Sequence, residues 1–205
     1  MKLYTAKLAP NPRRVQMFVA EKGIADIEVV LLNLGTGEHR DSPVAGMAPR
    51  PALPVLELDD GRRLSESRAI CSYLEACFPE PNLMGLDAEE RAFIEMADRQ
   101  AEWSLLAPCM NGVRHSHPGF ASVEQPQFGD YGRVQSERLR EAAAWFDARL
   151  AAQPYVAGAR YTVADITLFC ALEFARLLKF SAGGEGLVHL QAWRDRIAER
   201  PAARP

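Results

Sequence analysis

The segment Leu64-Ser65-Glu66-Ser67 places two hydroxyls and an acid immediately before Ile70, Tyr73, Leu74 and Cys77, whose spacing is that of the apolar stripe of a helix. A helix opening at Ser65 to Ser67 presents unpaired backbone N–H groups and the positive end of its dipole. It can therefore hold a carboxylate while Glu66 pairs with an ammonium. The same residues would equally serve as a plain helix cap. Metal chemistry has little to draw on: His115 and His117 alternate without a carboxylate or third ligand nearby, and no metal is predicted. Cys71, Cys77, Cys109 and Cys170 lie in apolar helical patterns without CxxC spacing and read as reduced core residues. Tyr161-Thr162-Val163-Ala164-Asp165-Ile166 combines an N-cap threonine, an acid three residues on and flanking apolar residues, a capping box with a hydrophobic staple, whose role is structural.

The elements that must position these residues follow from periodicity. Residues 2 to 6 form a short strand, and Pro10-Asn11-Pro12 then breaks the chain before a helix ending at Gly23, with Val15, Phe18 and Val19 as its stripe. Residues 27 to 32 are a continuous aliphatic run, as expected of a strand buried on both faces of a partly parallel sheet. Gly35 to Pro51 is a polar loop with at most a short helix. Val55 to Leu58, the turn Asp59-Asp60-Gly61 and Arg62 to Leu64 form an antiparallel hairpin, followed by the helix of the Ser67 segment. Two prolines and a glycine between Pro79 and Gly85 mark a boundary before the acidic helix start at Asp87-Ala88-Glu89-Glu90. The chain is thus predicted as an α/β domain over residues 1–78, a linker over 79–86 and an all-helical domain over 87–205, with helices near 87–115, 130–152, 163–178 and 189–199.

A chain of 205 residues that is 48% hydrophobic and 25% charged can bury two such cores, which excludes disorder as its main character. Lys and Arg number 24 against 27 Asp and Glu, for a net charge of −3, and no stretch concentrates the cations, so a nucleic-acid or anionic-membrane partner is not expected. The longest apolar runs, such as Ile166 to Leu172, fall well short of the roughly 20 residues a membrane-spanning helix needs. Met1-Lys2-Leu3-Tyr4 turns polar at once, unlike a signal peptide, and cytoplasmic location is the expectation.

Leu53-Pro54-Val55-Leu56, then Leu64-Ser65-Glu66-Ser67-Arg68-Ala69-Ile70 and Tyr73, resemble the cytosolic glutathione transferases, bacterial type. Arg13-Arg14-Val15, Ala20-Glu21-Lys22-Gly23, Gly37-Glu38-His39-Arg40, the Thr162–Asp165 box and Ala192-Trp193 extend the resemblance over essentially the whole chain. It implies a thioredoxin-like N-terminal domain followed by an all-helical substrate-binding domain, glutathione as co-substrate and a homodimer. Glutathione carries two carboxylates and an amine. The resemblance assigns its γ-glutamyl end to Glu66 and Ser67, its cysteinyl part to the backbone of Leu53 before a cis Pro54, and its glycyl carboxylate to His39 and Arg40. Met110 and Arg114, with Cys109, Asn111 and His115, follow a helix whose family counterpart lines the second-substrate pocket, and Asp98 is expected near the partner chain's glutathione.

The departure lies at the thiol. The position of the usual serine or cysteine holds Ala9, which can neither donate a hydrogen bond nor lower a thiol pKa. Asn11 is the nearest candidate activator, with Tyr4 and Thr5 next, and both of these would equally be strand side chains packed in a core. Ala48-Pro49-Arg50-Pro51 also lacks the Asn-Pro-x-Gly often found before the cis proline. The expected activity is conjugation of glutathione to a small electrophile. The rivals are a non-catalytic binding or regulatory module, which Ala9 favours, and a glutathione-dependent disulfide or peroxide reductase. A cysteine-based deglutathionylase is disfavoured, since no cysteine lies near the first helix.

Overall fold

The structure, a computed structural model, describes residues 1–7, 9–41, 43–46 and 52–204. It divides into two compact units, Met1–Asn82 together with residues 201–204, and Leu83–Arg200. The Ala48 to Pro51 segment lies outside the described residues.

The first unit runs β1 (Lys2–Thr5), α1 (Pro10–Glu21), β2 (Glu28–Leu31), α2 (Glu38–Asp41), β3 (Val55–Glu57), β4 (Arg63–Leu64) and α3 (Ser67–Cys77). Its sheet has the order β2-β1-β3-β4, with β2 parallel to β1 and both other pairings antiparallel. Leu3 stands opposite Val29 on one side and Leu56 on the other. Successive strand residues point to opposite faces. Tyr4 and Ala6 accordingly join Leu32, Val44, Leu53 and Val55 in one cluster, whereas Thr5 meets α1 through Gln16.

Two expectations are corrected here. The run over residues 27 to 32 does form the parallel strand, but β2 is a sheet edge, and Val29 and Leu31 are about half exposed (53% and 49%), so its apolar character does not reflect burial on both faces. On α3 the buried stripe is Ser67, Ile70, Cys71 and Leu74, and Cys77, at the helix's last position, is exposed while the other three cysteines are buried.

The first unit extends past its last helix because of Lys22. Its ammonium pairs with Glu75 at 2.5 Å and donates to the carbonyls of Phe78, Pro79 and Pro81 at 2.8, 3.2 and 2.8 Å. A buried cation satisfied this fully holds residues 78–81 against the ends of α1 and α3. At the other terminus, Arg13 donates to the carbonyl of Ala203 at 2.9 Å, which binds residues 201–204 to α1 and not to the helical domain to which the sequence assigned them.

The second unit is helical. α4 (Ala88–Ala101) continues through a π-helical segment, Glu102–Leu106, into α5 (Ala107–Ser116), and α6 (Gly129–Ala152), α7 (Val163–Ala175) and α8 (Val188–Ala198) follow. Its only β pairing among the described residues is the isolated bridge Tyr155–Gly158. α7 is buried around nearly its whole circumference, as its continuous apolar run requires. Its N-terminus is fixed by the capping box: Asp165 accepts from the Thr162 N–H at 2.9 Å, from the Val156 N–H at 3.0 Å and from the Trp193 indole at 2.9 Å. Among the described residues no helix is long and apolar enough to cross a membrane.

Candidate functional site

In the first unit the N-termini of α1 and α3 meet. The buried residues of α1 are Pro10, Pro12, Arg14, Val15, Met17 and Phe18, so a charged residue sits in the middle of a buried face. Arg14 is fully buried and its Nη1 donates to Ser67 Oγ at 3.1 Å. The Ser67 hydroxyl in turn points at Asn11 Oδ1 at 3.5 Å. That distance is long for an O–H···O bond, normally about 2.7 to 2.8 Å, so the hydroxyl proton is readily redirected to a stronger acceptor.

The backbone around these side chains is arranged for an anion. α3 starts at Ser67 with no side chain capping its first turn, which leaves its leading N–H groups without intrahelical partners. Glu66, the preceding residue, is exposed and holds φ +68° and ψ +110°, a conformation costly for a non-glycine residue. At α1 the helix begins earlier than expected, at Pro10, and Ala9 is its N-cap without a side-chain hydrogen bond. Pro10 and Pro12 have no N–H. Within that first stretch, Asn11 alone supplies both a backbone N–H and a side-chain amide. Two positive helix ends, one buried guanidinium and one serine hydroxyl therefore converge where a carboxylate or a thiolate would be stabilised.

Leu53 is buried at the mouth of β3, joined by a cis peptide bond to Pro54. His39 and Arg40 lie on the separate one-turn helix α2, and burial together with the Arg40 charge holds the His39 imidazole below its usual pKa. Tyr4 is packed in the sheet core, and Thr5 is fully buried, its Oγ1 accepting from Gln16 Nε2 at 3.0 Å. Of the three candidate activators, Asn11 stands beside Ser67.

In the helical unit a cleft of about 730 Å³ is lined by Trp103, Asn111, Tyr131, Gln135 and Trp145, among others. Asn111 forms part of its wall, but Met110 and Arg114 do not, and Arg114 faces Glu124 at 3.5 Å. His115 accepts from the Phe128 N–H and His117 from the Gly119 N–H, each acting as a local backbone acceptor. Asp98 is fully buried, with its carboxylate accepting from Thr167 and, at 2.7 Å, from Arg99. This turns it into the helical core. Burial pushes the Cys109 thiol up to about 12, an inert thiol. No group of three or more His, Cys, Asp or Glu suited to a metal ion occurs among the described residues.

Arg14 is the site residue that sequence reasoning did not single out. Its signal was present, because an arginine on the i, i+4 line through Pro10, Arg14 and Phe18 must be buried with a partner.

A small mixed sheet with helices, in which two helix N-termini meet, followed by a helical unit, defines a thioredoxin-like domain joined to an all-helical one. Comparison with known proteins agrees. Residues 9–77 match the family model for the glutathione S-transferase N-terminal domain and residues 123–201 the model for the C-terminal domain. Glutathione S-transferase 2 of Saccharomyces cerevisiae is 34% identical over 206 residues, covering 100% of this chain and 88% of that protein. The solved structure of Gtt2 from Saccharomyces cerevisiae superposes with a TM-score of 0.92 at 34% identity, over 99% of this chain and 98% of that one. A glutathione S-transferase domain-containing protein from Marinobacter aquaeolei VT8 gives a TM-score of 0.93 at 38% identity, with both chains fully covered. The chain belongs to the glutathione S-transferase family.

Proposed function

We propose that this protein is a cytoplasmic, homodimeric glutathione transferase that activates the glutathione thiol and adds it to a small electrophile, requiring no metal. Ser67 and the leading N–H groups of α3 hold the γ-glutamyl carboxylate, Glu66 pairs with its ammonium, and the Leu53 backbone meets the cysteinyl part. His39 and Arg40 receive the glycyl carboxylate. The electrophile is held by the helical domain near Met110 and Arg114, outside the cleft that Trp103, Tyr131 and Trp145 share. The observation that carries this reading is the uncapped start of α3 with Ser67 oriented by the buried Arg14.

The thiolate is the nucleophile, and a free thiol with a pKa near 8.5 is mostly protonated at neutral pH. Asn11, with its amide and backbone N–H at the positive end of α1, is the group that lowers it. Calorimetric titration with glutathione tests the binding half. Ser67→Ala combined with Glu66→Ala removes two polar partners, each worth about 1.5 to 3 kcal/mol when charge-assisted, and affinity is expected to fall at least tenfold. Unchanged affinity would end this reading.

The uncapped alanine at position 9 supports a second reading, a glutathione-binding module without transferase activity. Parallel assays of conjugation and of disulfide reduction separate the cases: binding with neither activity selects the module, and reduction alone selects a reductase.

A further inference from the structure

We propose that the connection between α5 and α6, residues 117–128, is a proton-operated latch in the helical unit, held shut by His115 and His117 as neutral imidazoles and released when they gain a proton. The connection is tied at both ends. At the end of α5 the Arg114 carbonyl would look for the N–H of residue 118, which is a proline and has none. Gln127 Nε2 donates to it instead, at 2.6 Å, and to the His117 carbonyl at 3.1 Å. In return, His115 Nδ1 accepts from the N–H of Phe128 at 3.2 Å, and Phe128 is the N-cap of α6, a helix start without a side-chain cap of its own. His117 Nδ1 accepts from the Gly119 N–H at 3.1 Å and holds the 3₁₀ turn Pro118–Phe120. Phe120, carried on that turn, lies edge-on to Phe174 of α7 with ring centroids 6.2 Å apart.

Both histidine bonds need a lone pair on Nδ1, so each neutral ring carries its single proton on Nε2. A second proton goes to Nδ1, turns the acceptor into a donor and sets it against a backbone N–H. The closed connection therefore binds fewer protons than the open one. Acid drives opening, by up to tenfold per histidine for each pH unit. On the elements around the two rings, Arg114 faces Glu124 at 3.5 Å, Arg133 of α6 pairs with Glu137, and Glu173 of α7 pairs with Arg194 and Arg176. Asp130 is exposed, and Tyr131 meets the His115 ring edge-on at 5.0 Å. Of these side-chain types, imidazole is the one that ordinarily titrates between pH 5 and 8.

Hydrogen exchange of the full chain tests the latch, read by mass spectrometry on peptides covering residues 117–131 and corrected for the intrinsic pH dependence of exchange. Protection there is expected to fall at least tenfold between about pH 7.5 and about pH 5.5, while peptides from α7 keep theirs. His115→Asn combined with His117→Asn replaces each imidazole by an amide that does not titrate, and protection in this double variant should no longer depend on pH. His115→Leu, which offers no acceptor, should show the low protection already at the higher pH. Both histidines are only partly buried, and thermal melting checks that each variant keeps its fold. Independently of any variant, the ¹⁵N shifts of the two imidazoles at the higher pH should report the proton on Nε2. The proposal is overturned by wild-type protection that is the same at both pH values, by an acid loss that persists in the double asparagine variant, by wild-type protection in His115→Leu, or by neutral rings protonated on Nδ1.

Discussion

In the proposed reading, Glu66 and Asn11 carry the roles most open to direct test. Glu66 holds a positive φ of 68°, which costs a non-glycine residue about 1 to 3 kcal/mol. Glycine relieves that cost while adding about 0.5 to 1 kcal/mol of unfolded-chain entropy. Glu66→Gly is therefore expected to raise stability by about 1 kcal/mol in urea unfolding and to weaken glutathione at least tenfold. A variant that is more stable and binds as before would leave the strain without a functional reason. At Asn11, loss of one amide donor is worth about 1 to 2 kcal/mol, or roughly one pKa unit. The thiolate absorbance of bound glutathione, titrated with pH, should shift upward by that amount in Asn11→Ala, with a matching loss of turnover at neutral pH. An unchanged titration would return the role to Tyr4 or Thr5, although one is packed in the sheet core and the other is fully buried. Ala9→Ser probes the same point from the other side: activity created from nothing would select the non-catalytic module.

At the scale of elements, the capping box of α7 offers a prediction with a pH signature. Asp165 is buried, and burial lifts its carboxyl to about 6 from an ordinary 3.8, against four hydrogen bonds that favour the charge. Between those values the folded state holds the proton that the unfolded state releases. Stability contributed by Asp165 is thus greatest below about pH 4, falls by at most about 3 kcal/mol as pH rises to 6, and is flat above. Asp165→Asn cannot titrate and turns an amide N–H₂ toward the donors of Val156, Thr162 and Trp193, a loss of about 2 to 3 kcal/mol. Its penalty relative to wild type should be larger at pH 4 than at pH 7 in urea unfolding, and equal penalties would show that the carboxylate ionises normally in the fold. This box was legible in the sequence because it is local: Thr162 and Asp165 are three residues apart. The β-α-β order, the hairpin and the helices were legible for the same reason. What depended on long-range placement was not. β2 reads as a buried strand because an aliphatic run records propensity and not sheet position, and it turns out to be an edge. The burial of Asp98 against Thr167 was not legible either, because that partner lies 69 residues away. Ser67 was visible as a helix start, but its orientation by Arg14 comes from a residue 53 positions earlier.

Across the whole molecule, the distribution of exposed apolar surface argues for self-association. Phe93, Met96, Gln100 and Trp103 succeed one another at intervals of three and four along α4 and the π segment, and the three apolar ones are 55%, 42% and 68% exposed. Tyr131 and Trp145 of α6 are also exposed, at 44% and 47%, and they share a cleft with Trp103. Large aromatic side chains gathered on one face of a protein with ordinary surface charge mark an interface, and a two-fold arrangement in which the same face meets itself is the commonest closed solution. Light scattering should return about twice the 22.7 kDa chain mass at micromolar concentration. Trp103→Glu places a charge at the centre of that face, where desolvating it without a partner costs several kcal/mol. It should return the protein to the mass of one chain without lowering the α-helical signal. A wild-type chain that scatters as a monomer across the micromolar range would remove the dimer from the proposal, and a Trp103→Glu variant that stays dimeric would move the interface to another surface.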